Sequence, residues 1–326
     1  MSIHHIAGNR RILTTPNGVK FVLGDKIGEG SFGIVFSAHN KEGAVALKMT
    51  TSNVPRDFRS NESKMSAGIK SQYVAGAIES FACQTDGGYK GVDLLPLYQM
   101  DLFDYVMAHG RLEGEQALAF VKMLLEALDA VHKAEITHYD LKADNILVNI
   151  DGQGRITNVA IADFGLASQA PPECANCKFG CCENQSCPGI AFPGSLQYIA
   201  PELLDRDVSC MQDDLCNPHP IEKLQKPDLY SMGVVLYVAL CREFPFPEGA
   251  SKFSVDYGLY INSLKTPNDL KGIGKQPKNL LERYVWTLMH HVPEERPLPG
   301  ELLKEFERLG PEKLLEAFTS TQLTVA

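Results

Sequence analysis

Lys48, Asp140, Asn145 and Asp163 have the types and the order that chemistry on a phosphate group requires. Lys48 closes the apolar run Val45-Ala46-Leu47. Asp140 lies in His138-Tyr139-Asp140-Leu141-Lys142-Ala143-Asp144-Asn145, just before the apolar run Ile146–Val148. Asp163-Phe164-Gly165 follows a second apolar run, Val159–Ala162. Oxygens such as those of Asn145 and Asp163 suit Mg²⁺, a hard cation. Asp140 is then a carboxylate left to accept a proton from a hydroxyl. A lysine held against phosphates needs an acid to orient it. Glu62 is the better placed, in a predicted polar helix, whereas Glu79 falls in a predicted strand. Upstream, Gly28-Glu29-Gly30-Ser31-Phe32-Gly33 lies between two predicted strands, with Val35 just after it. Glycines let backbone N–H groups approach phosphate oxygens closely. A dinucleotide fold would need a helix after these glycines, and the sequence offers a strand. Singly, each feature has a plain reading: a glycine-rich hairpin, a lysine snorkelling from a strand end, a turn or cap residue. In this order, together, they resist those readings.

The elements that must position these residues follow from periodicity. Arg11–Thr14 and Val19–Leu23 flank the turn signal Pro16-Asn17-Gly18. Phe32–Ala38 and Ala44–Met49 are further predicted strands, joined at Lys41-Glu42-Gly43. A polar helix is expected over about Asp57–Lys70, then strands over Val74–Phe81 and Gly91–Tyr98. Beyond Leu102 helices dominate. Phe120, Leu124, Leu128 and Val131 form a stripe along Glu113–Ala134. Leu229–Leu240 is apolar nearly all round and reads as a buried central helix, with further helices at Asn279–His291 and Pro299–Leu309. Strands first and helices second imply a small sheet lobe joined to a larger helical lobe.

Composition excludes several classes. Of 326 residues, 44% are apolar and 22% charged, which rules out collagen-like, mucin-like or wholly disordered chains. The net charge of −9 argues against non-specific nucleic-acid binding. Residues 1–97 hold eleven basic and eight acidic side chains, so the acidic excess lies in the remainder and favours basic partners. No run approaches the length of a membrane span. Met1-Ser2-Ile3-His4-His5 carries no signal peptide or myristoylation glycine, and Thr324-Val325-Ala326 is no prenylation box. The expected compartment is the cytoplasm, with the nucleus open. Nine cysteines in a reducing compartment point to free thiols or metal ligands before disulfides.

Over about Leu23 to Leu309 the chain resembles the eukaryotic-type protein kinase family, serine/threonine branch. The likeness continues past the motifs above. Gly194-Ser195-Leu196-Gln197-Tyr198-Ile199-Ala200-Pro201-Glu202 is similar to the family's substrate-binding loop and Ala-Pro-Glu motif. Asp228-Leu229-Tyr230-Ser231-Met232-Gly233 is similar to the start of its central helix, with Tyr230 in place of Trp, and Arg296 matches the arginine that pairs with Glu202. The resemblance implies an α+β bilobal fold. It comprises an N-terminal extension with a hairpin over 1–22, a kinase domain over 23–309 whose lobes meet near 97/98, and a tail over 310–326. It implies that Lys48 binds the ATP phosphates and pairs with Glu62. Ile27, Gly28, Gly30, Gly33, Val35 and Ala46 would enclose the nucleotide. Asp140 would act as base, with Lys142 beside it, and Asn145 and Asp163 would hold Mg²⁺ (or Mn²⁺). Lys142 and Ser195 fit kinases of serine and threonine. The expected partner is a protein substrate, and Asp101 and Asp144 hint at basic residues near its target hydroxyl, or else at a ribose contact or a solvated surface.

Two departures stand out. Tyr139 replaces an arginine that usually pairs with a phosphate on the activation segment. Activity is therefore expected to survive phosphatase treatment, and an enzyme silenced by it would overturn this. Both 163–202 and 202–228 look long for the family and carry cysteines: Cys174, Cys177, Cys181, Cys182 and Cys187 in the first, Cys210 and Cys216 with His219 in the second. Structural zinc, a reversible disulfide switch and plain reduced thiols all fit this spacing. Cys83 and Cys241 read as core residues. Besides an active protein kinase, the sequence admits a pseudokinase scaffold using the cysteine-bearing surface, and a small-molecule kinase, which the protein-substrate loop disfavours.

Overall fold

Apolar alternation along the first hundred residues builds one antiparallel sheet. The computed structural model describes residues 3–6, 10–30, 33–169, 196–204, 221–251, 254–259 and 280–319. Strands β1 (Ile3–Ile6), β2 (Arg10–Thr14), β3 (Lys20–Gly30), β4 (Gly33–His39), β5 (Ala44–Met49), β6 (Glu79–Thr85) and β7 (Gly88–Pro96) lie in the order β1-β2-β3-β4-β5-β7-β6. Inward positions pack a core of Leu13, Phe21, Leu23, Ala38, Leu47, Phe81, Cys83, Val92 and Leu94. The sheet curls until β1 touches β6. Asn17, in the β2–β3 turn, donates to Glu79 at the start of β6 (3.4 Å). Leu13 precedes the stretch most like a kinase, yet it is fully buried. Leu13→Ala is expected to lower stability by about 3 kcal/mol, read as a fall in the urea midpoint at unchanged m.

Helix α1 is shorter than periodicity predicts. It spans Asn61–Ser66 rather than Asp57–Lys70, because Ser60 takes the N-cap position and accepts from the Ser63 amide. Beyond it, Val74–Phe81 is not one strand. Tyr73 and Ala75 exchange backbone hydrogen bonds with Ile161 (2.9 and 2.8 Å), and strand β6 starts only at Glu79. Met65, Ile69, Tyr73 and Val74 thus pack against the large-lobe core.

The large lobe is built on helices. Asp101, ending the short strand β8 (Met100–Asp101), caps α2 (Leu102–His109) by accepting from the Asp104 amide at 2.8 Å. The expected stripe of α3 (Gly114–Lys133) is fully buried at Phe120, Leu124, Leu128 and Val131. Strand β9 (Ile136–Thr137) pairs with β12 (Ser168–Gln169), and β10 (Ile146–Ile150) pairs with β8 and with β11 (Ile156–Ile161). A short helix α4 (Pro201–Leu204) precedes the central α5 (Ile221–Cys241), which is buried on every side from Pro227 to Leu240. A Cβ on Gly233 of α5 would lie 2.5 Å from Met289, so glycine there lets α6 (Leu280–Leu288) approach. Helix α7 (Pro299–Thr319) does not end at Leu309. Gly310 breaks it with a φ of 74°, Pro311 restarts it, and Leu314 is buried in the large-lobe core. The fold is α+β in two lobes. No helix among the described residues is long and apolar enough to cross a membrane.

Candidate active site

Lys48 sits on β5 opposite Val35 of β4 and Asp93 of β7. Its Nζ lies 2.6 Å from Asp163 Oδ1 and 3.7 Å from Glu62 Oε2. Burial alone would lower the lysine's pKa, but Asp163, Glu62 and Asp93 outweigh it and leave the lysine above its ordinary value. Burial pushes the Glu62 carboxyl up to about 8, against the pull of Lys48. Burial also acts upward on Asp163, but Lys48 overcomes it and holds that carboxyl below its usual range. Lys48 therefore binds Asp163 as an ion pair and Glu62 more loosely. Glu79, the other acid considered for Lys48, instead accepts from Asn17.

Asp140, Lys142 and Asn145 form a second group. Lys142 Nζ lies 3.2 Å from Asp140 Oδ2, and Asn145 Nδ2 donates to Asp140 Oδ2 (3.0 Å) and to its carbonyl (2.8 Å). Burial raises the Asp140 pKa, with Lys142 opposing, which favours a proton-accepting carboxylate. Pairing of β10 with β11 joins the two groups. Ile146 stands opposite Ile161, and the Ala162 amide donates to the Asn145 carbonyl at 2.9 Å. Asn145 and Asp163 thus leave adjacent strand ends. Asp163 holds a left-handed φ of 62°, which positions it at some cost in strain.

Asp228 supports this loop from below. Buried at the start of α5's apolar run, it accepts from the amides of His138 (2.7 Å) and Tyr139 (2.9 Å) and from His132 Nε2 (3.1 Å). These bonds fix Tyr139 at a φ of 63°. His138 Nε2 bonds the Ala162 carbonyl at 3.0 Å, and its ring meets the buried Phe164 edge-on. Asp228 heads the motif Asp228–Gly233 noted in the sequence, whereas His132, on the buried face of α3, carries no chemical signature of its own.

The glycine hairpin is formed by β3 and β4, with Gly28 opposite Val35 and Gly30 opposite Gly33. A Cβ on Gly33 would fall 2.3 Å from the Met49 carbonyl, so Gly33 is needed by the sheet itself. Gly30 faces open space, and a Cβ on Gly28 would make only ordinary contact with Val35, at 3.8 Å. Ser31 and Phe32, at the tip, lie outside the described residues. Ile27 is half exposed on β3, while Ala46 is buried. Cys174, Cys177, Cys181, Cys182, Cys187, Cys210, Cys216 and His219, with Gly194 and Ser195, also lie outside the described residues. Cys83 packs in the small-lobe core and Cys241 against the large one. Among the described residues, no three His, Cys, Asp or Glu side chains converge on a metal site.

Comparison with known proteins agrees with this geometry. The protein kinase domain family matches residues 21–305. The chain is 29% identical over 226 residues to a probable serine/threonine-protein kinase, zyg-1, of Caenorhabditis elegans, covering 69% of the chain and 28% of that protein. It is 27% identical over 286 residues to protein kinase kin1 of Schizosaccharomyces pombe, covering 78% of the chain and 28% of that protein. It is 28% identical over 205 residues to a calcium and calcium/calmodulin-dependent serine/threonine-protein kinase of Pisum sativum, covering 63% and 33%. The chain spans about a third or less of the length of these relatives. With the family matched over most of its length and the lysine, its two acids and the Asp140 loop gathered at one cleft, the chain belongs to the protein kinase domain family.

Proposed function

We propose that the chain is a serine/threonine protein kinase, transferring the γ-phosphate of Mg·ATP to hydroxyls of protein substrates. The 2.6 Å ion pair joining Lys48 of the small lobe to Asp163 of the large lobe, beside the Asp140–Asn145 loop, carries this reading. The residues fit the nucleotide. Gly30 leaves room that nothing among the described residues fills, Gly28 has only Val35 near it, and Ile27 offers an apolar face still open to solvent. Lys48 would bind phosphate oxygens. Asn145, its amide nitrogen engaged by Asp140, would offer its carbonyl oxygen to the cation together with Asp163. Bound Mg²⁺ supplies charge neutralisation for phosphoryl transfer. Asp140 orients the acceptor hydroxyl and receives its proton, while Lys142 beside it counters charge. A scaffold without turnover has no chemical need of this set.

Half-buried Asp101, with exposed Asp104 and Asp144 near it, supports substrates with basic residues beside the target. Burial, with Asp104 and Asp144 adding, pushes the Asp101 carboxyl up to about 6. Its charge is present above that pH and lost below. The preference in kcat/KM for a lysine- or arginine-flanked peptide over a neutral one is therefore expected to shrink as pH falls from 7.5 to 5.5. The ratio cancels the effect of protonating Asp140. A ratio constant with pH would remove Asp101 from recognition.

The decisive assay is transfer of labelled γ-phosphate from Mg·ATP to a basic protein, followed by identification of the labelled amino acid. Label on serine or threonine is expected, and its absence would overturn the reading. Zinc in the cysteine stretch is a separate proposal resting on spacing alone. Metal content of the purified protein decides it: one equivalent supports zinc, and a metal-free, chelator-insensitive protein excludes it.

A further inference from the structure

Helix α1 is too short to hold its place unaided, and three consecutive residues at its start are each tied to a different part of the molecule. The Ser60 hydroxyl donates to Asp93 Oδ1 at 2.6 Å while accepting from the Ser63 amide at 3.0 Å, and the Ser60 amide donates to Ser80 Oγ at 3.2 Å. Asn61 Nδ2 lies 3.2, 3.0 and 2.8 Å from the carbonyl oxygens of Phe164, Gly165 and Ala167. Only an amide NH₂ can face three acceptors, so its orientation is determined. Glu62, next in line, faces Lys48.

Asp93 calls for an explanation. It is buried in β7 directly opposite Lys48. A buried carboxylate costs stability that an apolar side chain would not. Its hydrogen-bonded partner is the cap of the helix that carries Glu62. The backbone held by Asn61 begins one residue after Asp163. A shift of α1 would therefore break the Asp93 bond behind it and pull on the segment in front of it.

We propose that Asp93 and Asn61 are positioning residues of the phosphoryl-transfer site. Asp93, through Ser60, fastens α1 to the small-lobe sheet. Asn61 fastens residues 164–167 to the same helix. Lys48, Glu62 and Asp163 are then aligned by the chain's own hydrogen bonds, without a phosphate on the activation segment. This rests on the kinase reading above.

The test compares Asn61→Ala, Asn61→Asp, Asp93→Asn and Asp93→Leu in the full chain. It measures kcat and KM for ATP, and amide hydrogen exchange over 60–67 and 163–168 in nucleotide-free protein. Asn61→Ala is expected to lower kcat about tenfold, with a smaller change in KM. Asn61→Asp preserves size but turns a carboxylate toward three carbonyls, so it should fall further than alanine. Asp93→Asn keeps an acceptor for Ser60 and should retain most activity, whereas Asp93→Leu should not. Exchange over 163–168 should quicken in Asp93→Leu, although Asp93 does not touch that segment. Unchanged kcat in Asn61→Ala, an aspartate variant better than alanine, or exchange at 163–168 indifferent to Asp93→Leu would each overturn the proposal. A wild type that transfers no phosphate would sink the kinase reading, and the exchange comparison would then decide alone whether the two residues align the cleft.

Discussion

Asp140→Asn is expected to cut phosphoryl transfer by about 10²–10³ while leaving ATP affinity nearly unchanged. The substitution keeps the shape of the side chain and an oxygen for Asn145 Nδ2 to donate to. It removes the charge that faces Lys142 and with it the capacity to take the hydroxyl proton. Nucleotide contacts are assigned to Lys48, the glycine hairpin, Asn145 and Asp163, none of which changes. Single-turnover transfer, paired with displacement of a fluorescent nucleotide, separates the two effects. Wild-type turnover in the variant would remove Asp140 from the chemistry. Loss of nucleotide binding in parallel would show a collapsed site instead.

The largest effect on stability is expected at Arg296. Its side chain is fully buried and its guanidinium meets Glu202 twice, at 2.6 and 2.7 Å. The same group donates to the carbonyls of His290 and Lys226 at 2.8 and 2.9 Å and lies over the Tyr230 ring. One residue thus joins α4, α5 and the turn before α7. Arg296→Ala removes a two-point ion pair to Glu202, two bonds to carbonyls and the packing on Tyr230, at a cost of about 3 kcal/mol. Lysine cannot reproduce the planar fork, so Arg296→Lys should recover little. Arg296→Met combined with Glu202→Gln should be less damaging than Arg296→Ala, because both charges are removed together and the buried volume is kept. Denaturant midpoints test the series. A lysine variant as stable as wild type would show that charge alone matters here.

The parts of the site legible in the sequence are those whose chemistry is local. The Gly28–Gly33 run, Lys48 at the end of a strand, the Asp140–Asn145 loop and Asp163-Phe164-Gly165 each carry their spacing within a few residues. Helix α3 was equally legible, since its stripe has one period and one buried face. Asn61, Asp93 and the partners of Asp228 were not, because each acts across a long separation: Asn61 on carbonyls from Phe164 onward, Asp93 on Ser60, Asp228 on His132 and the His138–Tyr139 backbone. Nothing in the neighbouring residues announces such a partner. The start of α1 and the break at Gly310 escape periodicity for a related reason. A serine cap and a left-handed glycine override the apolar pattern around them.

The short pairing of β12 with β9, together with the Ser231 hydroxyl that donates to the Tyr198 carbonyl at 2.8 Å, anchors the chain on both sides of the cysteine-bearing stretch. Arg296 secures Glu202 just beyond. Once two ends are pinned, the entropic cost of closing the chain between them grows only logarithmically with its length, about 0.6 kcal/mol for each doubling. Such a site can accept inserted sequence with little penalty to the fold. A lineage, or a designer, could lengthen or shorten the cysteine-bearing stretch between the anchors without moving Lys48, Asp140 or Asp163.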